Sequence, residues 1–363
     1  MKSKILNILL SLCTVLIIVL IGESFLTFWR QPMSVDQKLG WKATEHYVFE
    51  GTKRDAAGKE YHVSIATDRN GFRLFGNPNS KKIKIFFLGD SFTYGIDVSN
   101  DKVYCALIVG KSNNVEGFAY GSGGYGTLQE YMILDKFIDL IKPDILILQL
   151  CCNDFIDNDF RLGQKSYYNN NGRRRPYLDE YGNISYLNPK HSSFFFIPDG
   201  LLAKSRLASF LFDKFNRLLL YPHKKQGDSI ETEISRVGPG HEGFRGAVKI
   251  TKMSMDMIKN RAAGILIFAF SVDDGQPMWG EFQKLVEQEH FNYIDGIPQA
   301  LRSYEEKGYT IRAADKGHLN ELGHRIVADK LTDYLQKEEI LSKFTKAKAG
   351  RIPDLEVNLQ RDN

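Results

Sequence analysis

Three short motifs in the sequence carry residue types that together could perform nucleophilic catalysis. Ser91 follows Gly89 and Asp90 at the end of an apolar run, and Asn153 follows a second apolar run. Near the C-terminus, Asp315 and His318 stand three residues apart in the segment DKGHLNELGH. A serine hydroxyl, an imidazole base and a carboxylate that orients the imidazole form a set suited to attack on an acyl group.

The spacing of Asp315 and His318 lets the carboxylate reach the imidazole on a turn or a first helical turn. The carboxylate would fix the ring tautomer, and the other ring nitrogen would serve as the general base. We expect His324, six residues further on, to be structural. A metal site of Asp315, His318 and His324 is the alternative, but no further ligand is evident, and we expect neither a metal nor another cofactor.

Candidate donors for an oxyanion lie between these residues. The side-chain amide of Asn153 suits a developing negative charge, although an Asn-Asp pair also caps loops. Four glycines separate a predicted strand from a predicted helix and would leave backbone N–H groups exposed at the helix N-terminus. They are Gly121, Gly123, Gly124 and Gly126. A flexible turn is the alternative for the glycines.

Short apolar runs that alternate with amphipathic stretches are expected to position these groups. The runs predict strands at 83–88, 115–119, 143–154, 262–271 and 291–295. Their alternation with helices is typical of an α/β protein with a doubly wound parallel sheet. Chemistry in such sheets collects at the carboxyl ends of the strands, which is where Ser91 and Asn153 stand.

The first 30 residues predict a membrane anchor. Lys2 and Lys4 precede an uncharged run from 5 to 22, with aromatic residues at 25–29 and then Arg30. This run is close to the ~20 apolar residues that span a bilayer. The lysines favour a cytoplasmic N-terminus and an extracytoplasmic domain. A cleaved signal peptide is the alternative.

The remaining chain divides by composition. Residues 31–82 predict a small β arm that leads into the core, and residues 83–340 form the main domain. An insertion at about 155–200 interrupts the alternation and contains one predicted hairpin, PYLDEYGNISYL. Residues 223–241, which are polar and contain glycine, predict a loop. Residues 341–363 predict a polar tail.

Aromatic and basic residues are concentrated in the insertion. Tyr167, Tyr168 and the run Arg173 to Arg175 are expected to lie in a solvated loop, with contact to a sugar or an anionic polymer as the alternative.

Composition excludes several classes of protein. The chain has 363 residues and a formal net charge of +4, which is too small to indicate nucleic-acid binding, and no motif of that class is present. The four cysteines form no C-x-x-C pair and no disulfide framework at this length. We expect the adjacent Cys151 and Cys152 to be packed thiols.

In chain order, the motifs resemble those of the GDSL/SGNH hydrolase superfamily, whose four motifs are named for Ser, Gly, Asn and His. The matching residues are Gly-Asp-Ser-Phe at 89–92, Gly124, Asn153, and Asp315 with His318. The resemblance spans about residues 60–340. Cys151 stands where the third motif usually has glycine.

The resemblance implies a flavodoxin-like three-layer α/β/α sandwich with a central parallel sheet. It implies that Ser91 is the nucleophile, His318 the base and Asp315 its orienter. The oxyanion hole would consist of the N–H groups of Ser91 and Gly124 and the side chain of Asn153.

We therefore expect a serine esterase that acts on a small acyl ester, such as an O-acetyl group of an envelope glycan or a lipid ester. An O-acyltransferase on envelope polysaccharide would use the same triad, and a catalytically inactive glycan-binding module is the third possibility. The expected location is the outer side of the cytoplasmic membrane, or secretion if the N-terminal segment is cleaved. The sequence makes no prediction of the oligomeric state.

Overall fold

Strands and helices alternate through the main domain. The computed structural model describes residues 2–28, 30–166, 173–187, 198–220 and 229–348. The strands are β1 (Met33–Asp36), β2 (Gly40–Ala43), β3 (Val48–Arg54), β4 (Glu60–Ala66), β5 (Leu74–Phe75), β6 (Ile83–Gly89), β7 (Val115–Gly121), β8 (Ile145–Leu150), β9 (Arg175–Leu178), β10 (Ile184–Leu187), β11 (Leu266–Ser271) and β12 (Asn292–Tyr293).

The helices lie between and after these strands. They are α1 (Lys2–Phe28), α2 (Ser91–Tyr94), α3 (Tyr104–Gly110), α4 (Thr127–Ile141), α5 (Asp154–Asn158), α6 (Phe160–Lys165), α7 (Asp199–Lys204), α8 (Arg206–Leu220), α9 (Ile230–Val237), α10 (Glu242–Arg261), α11 (Met278–Gln288), α12 (Ile297–Glu306), α13 (Glu321–Lys337) and α14 (Ile340–Lys348).

The central sheet has the strand order β12-β11-β8-β6-β7-β5. All neighbours are parallel except β5, which pairs antiparallel with β7. Every residue of β6 is buried, as expected of a strand covered on both faces. The predicted α/β fold with a parallel sheet is confirmed.

Side chains of β6 alternate between two apolar cores. Phe86 and Leu88 join the core that contains residues of α4, α10 and α11. Ile85 and Phe87 join the core that contains residues of α3, α12 and α13. Because helices cover both faces of the sheet, the architecture is a three-layer α/β/α sandwich.

The segment before β6 is built from hairpins, as predicted. Strands β1 and β2 form one antiparallel pair, and β3 and β4 form another. A turn at Asn70 and Gly71 then leads to β5 at the edge of the main sheet, with Gly71 at a φ of 90°. We call residues 31–82 the β arm.

The insertion contains the predicted hairpin, formed by β9 and β10. The expectation of a solvated loop is wrong for Arg173 and Arg175, which are both buried, whereas Arg174 is exposed. Buried arginine requires nearby acceptors or charges, and Arg175 has them in Asp157 and Gln129. Tyr167 and Tyr168 lie outside the described residues.

Two helices lie where the sequence suggested loop or tail. The side chain of Ser229 caps α9 by accepting from the backbone N–H of Thr232, and Ile230 and Ile234 are buried. Helix α14 carries the fold past residue 340, where the polar tail was expected to begin, because Ile340 joins the core below α13.

The N-terminal helix is the one candidate membrane span among the described residues. Residues Ser3–Leu26 are long and apolar enough to cross a bilayer, and none of the most apolar window is buried. A signal sequence satisfies the same criteria. The last turns of α1 contact α8, where Gly22 faces the side chain of Leu207.

Gly121 at the end of β7 permits the turn that carries Ser91 to approach the sheet. A Cβ atom on Gly121 would lie 2.6 Å from the carbonyl oxygen of Asp90 and would also collide with the backbone nitrogen of Tyr94. Backbone atoms cannot rotate away as a side chain can. The turn after β6 can therefore lie directly against β7, because Gly121 has no side chain.

We predict that Gly121→Ala lowers the free energy of unfolding by about 1–3 kcal/mol, because the extra methyl group forces the two backbones apart. Gly110→Ala is the matched control, since nothing lies within 4 Å of a Cβ at the end of α3. Urea unfolding of both variants measures the difference. Equal stability of the two variants would contradict the close-approach argument.

Candidate active site

Ser91 begins a single helical turn at the carboxyl end of β6. The carboxylate of Asp90 caps this turn by accepting from the backbone N–H of Phe92 at 2.9 Å. Gln149 of the neighbouring strand β8 accepts from the backbone N–H of Asp90 at 3.2 Å and from the hydroxyl of Thr93 at 3.0 Å. Ser91 itself remains partly exposed. The turn is therefore fixed from both sides while the serine stays accessible.

Buried carboxyl groups lie behind this turn. Burial raises the pKa of Asp90 to about 6, against the opposing hydrogen bond from Phe92. Burial and neighbouring carboxylates raise the pKa of Glu130 and of Asp154 well above their ordinary values. Because these folded-state pKa values are raised, the stability that the neutral groups contribute is present at low pH and decreases as the pH rises through them.

Asp315 and His318 form the predicted hydrogen-bonded pair. Asp315 Oδ2 accepts from His318 Nδ1, and Oδ1 accepts from the backbone N–H groups of Gly317 at 2.9 Å and His318 at 3.0 Å. Burial opposes ionisation of Asp315, but these hydrogen bonds outweigh it and hold the pKa of its carboxyl below the usual value. The ionised carboxylate keeps the proton on Nδ1, so Nε2 is the basic nitrogen.

The β arm holds the loop that carries this pair. The backbone N–H of Ala314 donates to the carbonyl of Arg54, and that of Ala56 donates to the carbonyl of Arg312, both at 3.0 Å. Asp55 completes the contact through an antiparallel bridge to the same loop. The arm thus fixes a loop that belongs to no strand of the main sheet.

Contacts on the other side bring the His318 loop to the serine turn. The ring of His318 lies against the ring of Phe92, with centroids 5.4 Å apart. Phe92 directly follows Ser91 in the same helical turn. The structure therefore brings the Asp315 and His318 pair to the turn of Ser91.

The glycine loop flanks Ser91. A Cβ atom on Gly123 would lie 3.9 Å from the Cβ of Ser91, and Gly124 adopts a φ of 72°. Trp41 of the β arm donates from Nε1 to the carbonyl of Gly123 at 2.8 Å, and its own carbonyl accepts from the hydroxyl of Tyr125 at 2.8 Å. Among the described residues, the backbone N–H groups of Ser91 and Gly124 donate to no partner. Both groups remain available to a ligand oxygen.

Asn153 precedes α5, but its side chain does not cap this helix. Its Nδ2 instead donates to Asp157 Oδ2 at 2.6 Å, and Asp157 Oδ1 accepts from Arg175 Nη1 at 2.9 Å. Since the amide nitrogen carries two hydrogens, one remains available after the bond to Asp157. The insertion therefore orients Asn153 through a buried ion pair.

Asp97 lies beside the Asp315 and His318 pair. Its carboxylate was not singled out in the sequence. Asp97, Asp315 and His318 each place one potential metal-ligand atom within 4.8 Å of the others. His324 is not part of this group. It is buried, its Nδ1 accepts from the backbone N–H of Tyr104 at 3.3 Å, and burial lowers its pKa to about 3. These contacts agree with the structural role expected for His324.

Cys151, two residues before Asn153, packs as a buried thiol. Its Sγ donates to Asp273 at 3.6 Å, and Cys152 donates to the same carboxylate. Burial, followed by the negative charge of neighbouring carboxylates, raises the pKa of both thiols well above the ordinary value. The two thiols therefore act as neutral donors next to Asn153.

Three residues that support the site were missed by sequence reasoning. Gln149 had a signal, because it is a polar residue within the apolar run of β8. Trp41 and Arg175 stood in segments interpreted as a lead-in and as a solvated loop. Their hydrogen-bond partners lie far away in the sequence, and no local sequence pattern indicates such contacts.

Comparison with known proteins gave matches among solved structures only. No family model and no curated protein matched the chain. The lipolytic protein of the G-D-S-L family from Veillonella parvula has 12% identity over 69% of this chain and 97% of its own, with a TM-score of 0.39. The lipase/acylhydrolase from Enterococcus faecalis has 14% identity over 70% of this chain and 96% of its own, with a TM-score of 0.37.

A third match is the acetyl xylan esterase AlAXEase, with 14% identity over 70% of this chain and 100% of its own, and a TM-score of 0.37. At these identities and TM-scores, the similarity is one of fold alone. The chemistry of the site rests on its own residues.

We predict that Arg175→Met lowers the free energy of unfolding by about 3–5 kcal/mol at pH 8, because it leaves the Asp157 carboxylate buried without its partner. Burial already raises the pKa of Asp157 to about 6, and Arg175 opposes that rise. Without Arg175 the pKa rises further, so the loss of stability grows as the pH increases from 5 to 8. Urea unfolding at both pH values measures it.

Lys111→Met is the matched control. Lys111 is 38% exposed and lies 2.8 Å from Asp329, which is 55% exposed, so its loss is expected to cost under ~1 kcal/mol at either pH. The role given to Arg175 fails if the two variants lose equal stability or if the Arg175 effect does not change with pH.

Proposed function

We propose that the protein is a serine ester hydrolase that acts through an acyl-enzyme on a small acyl ester. The observation that supports this most directly is the hydrogen-bonded Asp315 and His318 pair, which lies against the turn that begins with Ser91. An orienting carboxylate, an imidazole and an accessible serine hydroxyl are the groups that nucleophilic attack on an ester needs.

In the proposed reaction, the Ser91 hydroxyl attacks the ester carbonyl carbon and His318 Nε2 accepts its proton. Asp315 holds the Nδ1 proton and stabilises the imidazolium. The tetrahedral intermediate collapses as its C–O bond to the alcohol breaks, and His318 protonates the departing alcohol. Water then attacks the acyl-serine by the same route, which releases the acid and restores Ser91.

The oxyanion would be stabilised by the N–H groups of Ser91 and Gly124 and by Nδ2 of Asn153. Two observations support these donors. The backbone groups have no partner among the described residues, and the Asn153 amide is oriented by Asp157 with one hydrogen to spare. A hydrogen bond that becomes stronger as negative charge develops on the substrate oxygen lowers the activation barrier more than it improves substrate binding.

We further propose that α1 is retained and holds the domain on the outer side of the cytoplasmic membrane. The carboxylate of Glu23, within α1, accepts from the backbone N–H groups of Arg206 at 3.1 Å and Leu207 at 3.3 Å and from the hydroxyl of Ser205. Cleavage at any bond between Glu23 and the β arm would remove this cap from α8. Lys2 and Lys4 favour the orientation with the domain outside.

The test of the proposed activity is hydrolysis of p-nitrophenyl acetate by the full chain in detergent. Ser91→Ala is expected to abolish turnover, because no nucleophile remains. Asn153→Ala is expected to lower kcat by about 10²–10³ with little change in KM. Its Tm should stay within a few degrees of the wild type, because Asp157 keeps its buried ion pair with Arg175.

Asn183→Ala is the matched control for Asn153→Ala. Asn183 Nδ2 also donates to a carboxylate four residues away, Asp179 at 3.0 Å, but in an exposed hairpin turn. This variant should keep its kcat. Turnover by Ser91→Ala at the wild-type rate would refute the esterase, and early melting of Asn153→Ala with a normal rate would return Asn153 to a structural role.

For the anchor, we expect the protein in the membrane fraction to keep its first 30 residues and its full mass of 41.4 kDa. Protease added to spheroplasts should degrade the catalytic domain. An intact mass that lacks the apolar run would show cleavage. Protection of the domain under conditions that degrade a known external domain would show the opposite orientation.

A further inference from the structure

A cavity of about 600 Å³ lies between the end of α1, the start of the β arm, the α7–α8 segment and the glycine loop. This volume is in the range of sites for small ligands. Gly123 and Trp41 form part of its wall. Because Gly123 also flanks Ser91, the cavity adjoins the candidate active site.

The cavity wall is strongly cationic. Among the described residues that line it, six are basic and one, Glu45, is acidic. The basic residues are Arg30, Lys42, Arg173, Lys204, Arg206 and Lys214. A concave surface of one charge sign raises the local concentration of the opposite charge. The ligand indicated by this wall is therefore an anion.

Four of these cations form no ion pair with a described residue. One of them, Arg30, donates instead to the backbone carbonyls of Glu45 and His46. Lys204, Arg206 and Lys214 are exposed and make no ion pair with any residue in the described ranges. Lys42, in contrast, lies 2.7 Å from Glu45. Lys204, Arg206 and Lys214 lie on α7 and α8, and together they form one side of the cavity.

The cavity lies next to the end of the candidate membrane span. Leu26 and Arg30 of the wall stand at and just after the end of the span. Glu23 fixes the start of α8 at this level, so the helix N-terminus is already occupied by a carboxylate. An anion in the cavity would be bound by side chains at the height where α1 leaves the bilayer.

Helix α8 also presents apolar side chains that suit a membrane surface. Phe210, Leu211 and Phe215 are 36%, 41% and 38% exposed, and Leu201 of α7 is 51% exposed. Apolar and basic residues that share one segment are typical of helices that lie at the lipid headgroup level. The anions abundant at that level are lipid phosphates.

We propose that this cavity binds the phosphate of a membrane amphiphile. Given the esterase activity proposed above, on which this extension rests, the amphiphile would place an acyl ester at Ser91 while its phosphate lies among Lys204, Arg206 and Lys214. The phosphate belongs either to the substrate itself or to a neighbouring lipid that docks the domain on the membrane.

The test measures binding by the full-length Ser91→Ala variant in dodecyl maltoside micelles, using isothermal titration calorimetry. Dihexanoyl phosphatidylglycerol should bind, and dihexanoylglycerol, which lacks the phosphate, should bind at least tenfold more weakly. Adding Lys204→Gln, Arg206→Gln and Lys214→Gln together should weaken phosphatidylglycerol binding by at least about tenfold.

A matched triple variant carries Arg245→Gln, Lys249→Gln and Lys330→Gln. These residues are exposed, lie outside the cavity and form no ion pair with a described residue, so binding should be unchanged. The proposal is overturned if the cavity variant binds like its parent or if both triple variants weaken equally. It is also overturned if inorganic phosphate binds as tightly as phosphatidylglycerol.

Turnover by the chain with Ser91 intact distinguishes the two sources of phosphate. A preference for dihexanoyl phosphatidylglycerol over dihexanoylglycerol in kcat/KM, lost in the cavity variant, assigns the phosphate to the substrate. Binding without such a preference assigns it to a docking lipid. If no ester is hydrolysed while binding still depends on the three cations, the esterase proposal fails and the phosphate site stands.

Discussion

The site depends on a constraint on one helical turn. Helix α2 has only four residues, and a helix that short is not stable by itself. Its geometry is imposed by the Asp90 cap, by the side chain of Gln149 from β8 and by the bare backbone of Gly121 on β7. The position of Ser91 is therefore a property of three adjacent strand ends, and it is as rigid as the sheet that holds them.

The β arm holds two loops of the candidate site that lie outside the main sheet. Trp41 holds the glycine loop through the carbonyl of Gly123, and the backbone of Arg54 to Ala56 holds the loop of Asp315 and His318. The two loops lie at different ends of the sequence, and each would otherwise rely on its own turn geometry. A segment that resembles a lead-in to the core thus joins two parts of the candidate site.

Local patterns predicted the sheet, the hairpin of the insertion and the Asp315 and His318 pair, because each depends on periodicity or on spacing within a few residues. The support of Asn153 could not be predicted in this way. Arg175 reaches Asp157 across 18 residues, and no pattern in the sequence links them. Helix α9 was missed for a different reason: its polar composition and the glycines that follow outweighed the cap at Ser229 in the sequence interpretation.

The protonation state of the buried carboxyl groups next to the site affects how well an oxyanion is stabilised there. Asp154 follows Asn153 directly, and negative charge there would oppose an oxyanion bound by the Asn153 amide. Both carboxylate oxygens of Glu130 and one of Asp154 find no hydrogen-bond partner among the described residues, so ionising either group would leave a buried charge unsatisfied. Burial favours the neutral form of both groups, as their raised pKa values indicate. With both carboxyl groups neutral, the cations of the cavity wall that form no ion pair with a described residue favour anionic species where Gly123 meets the cavity.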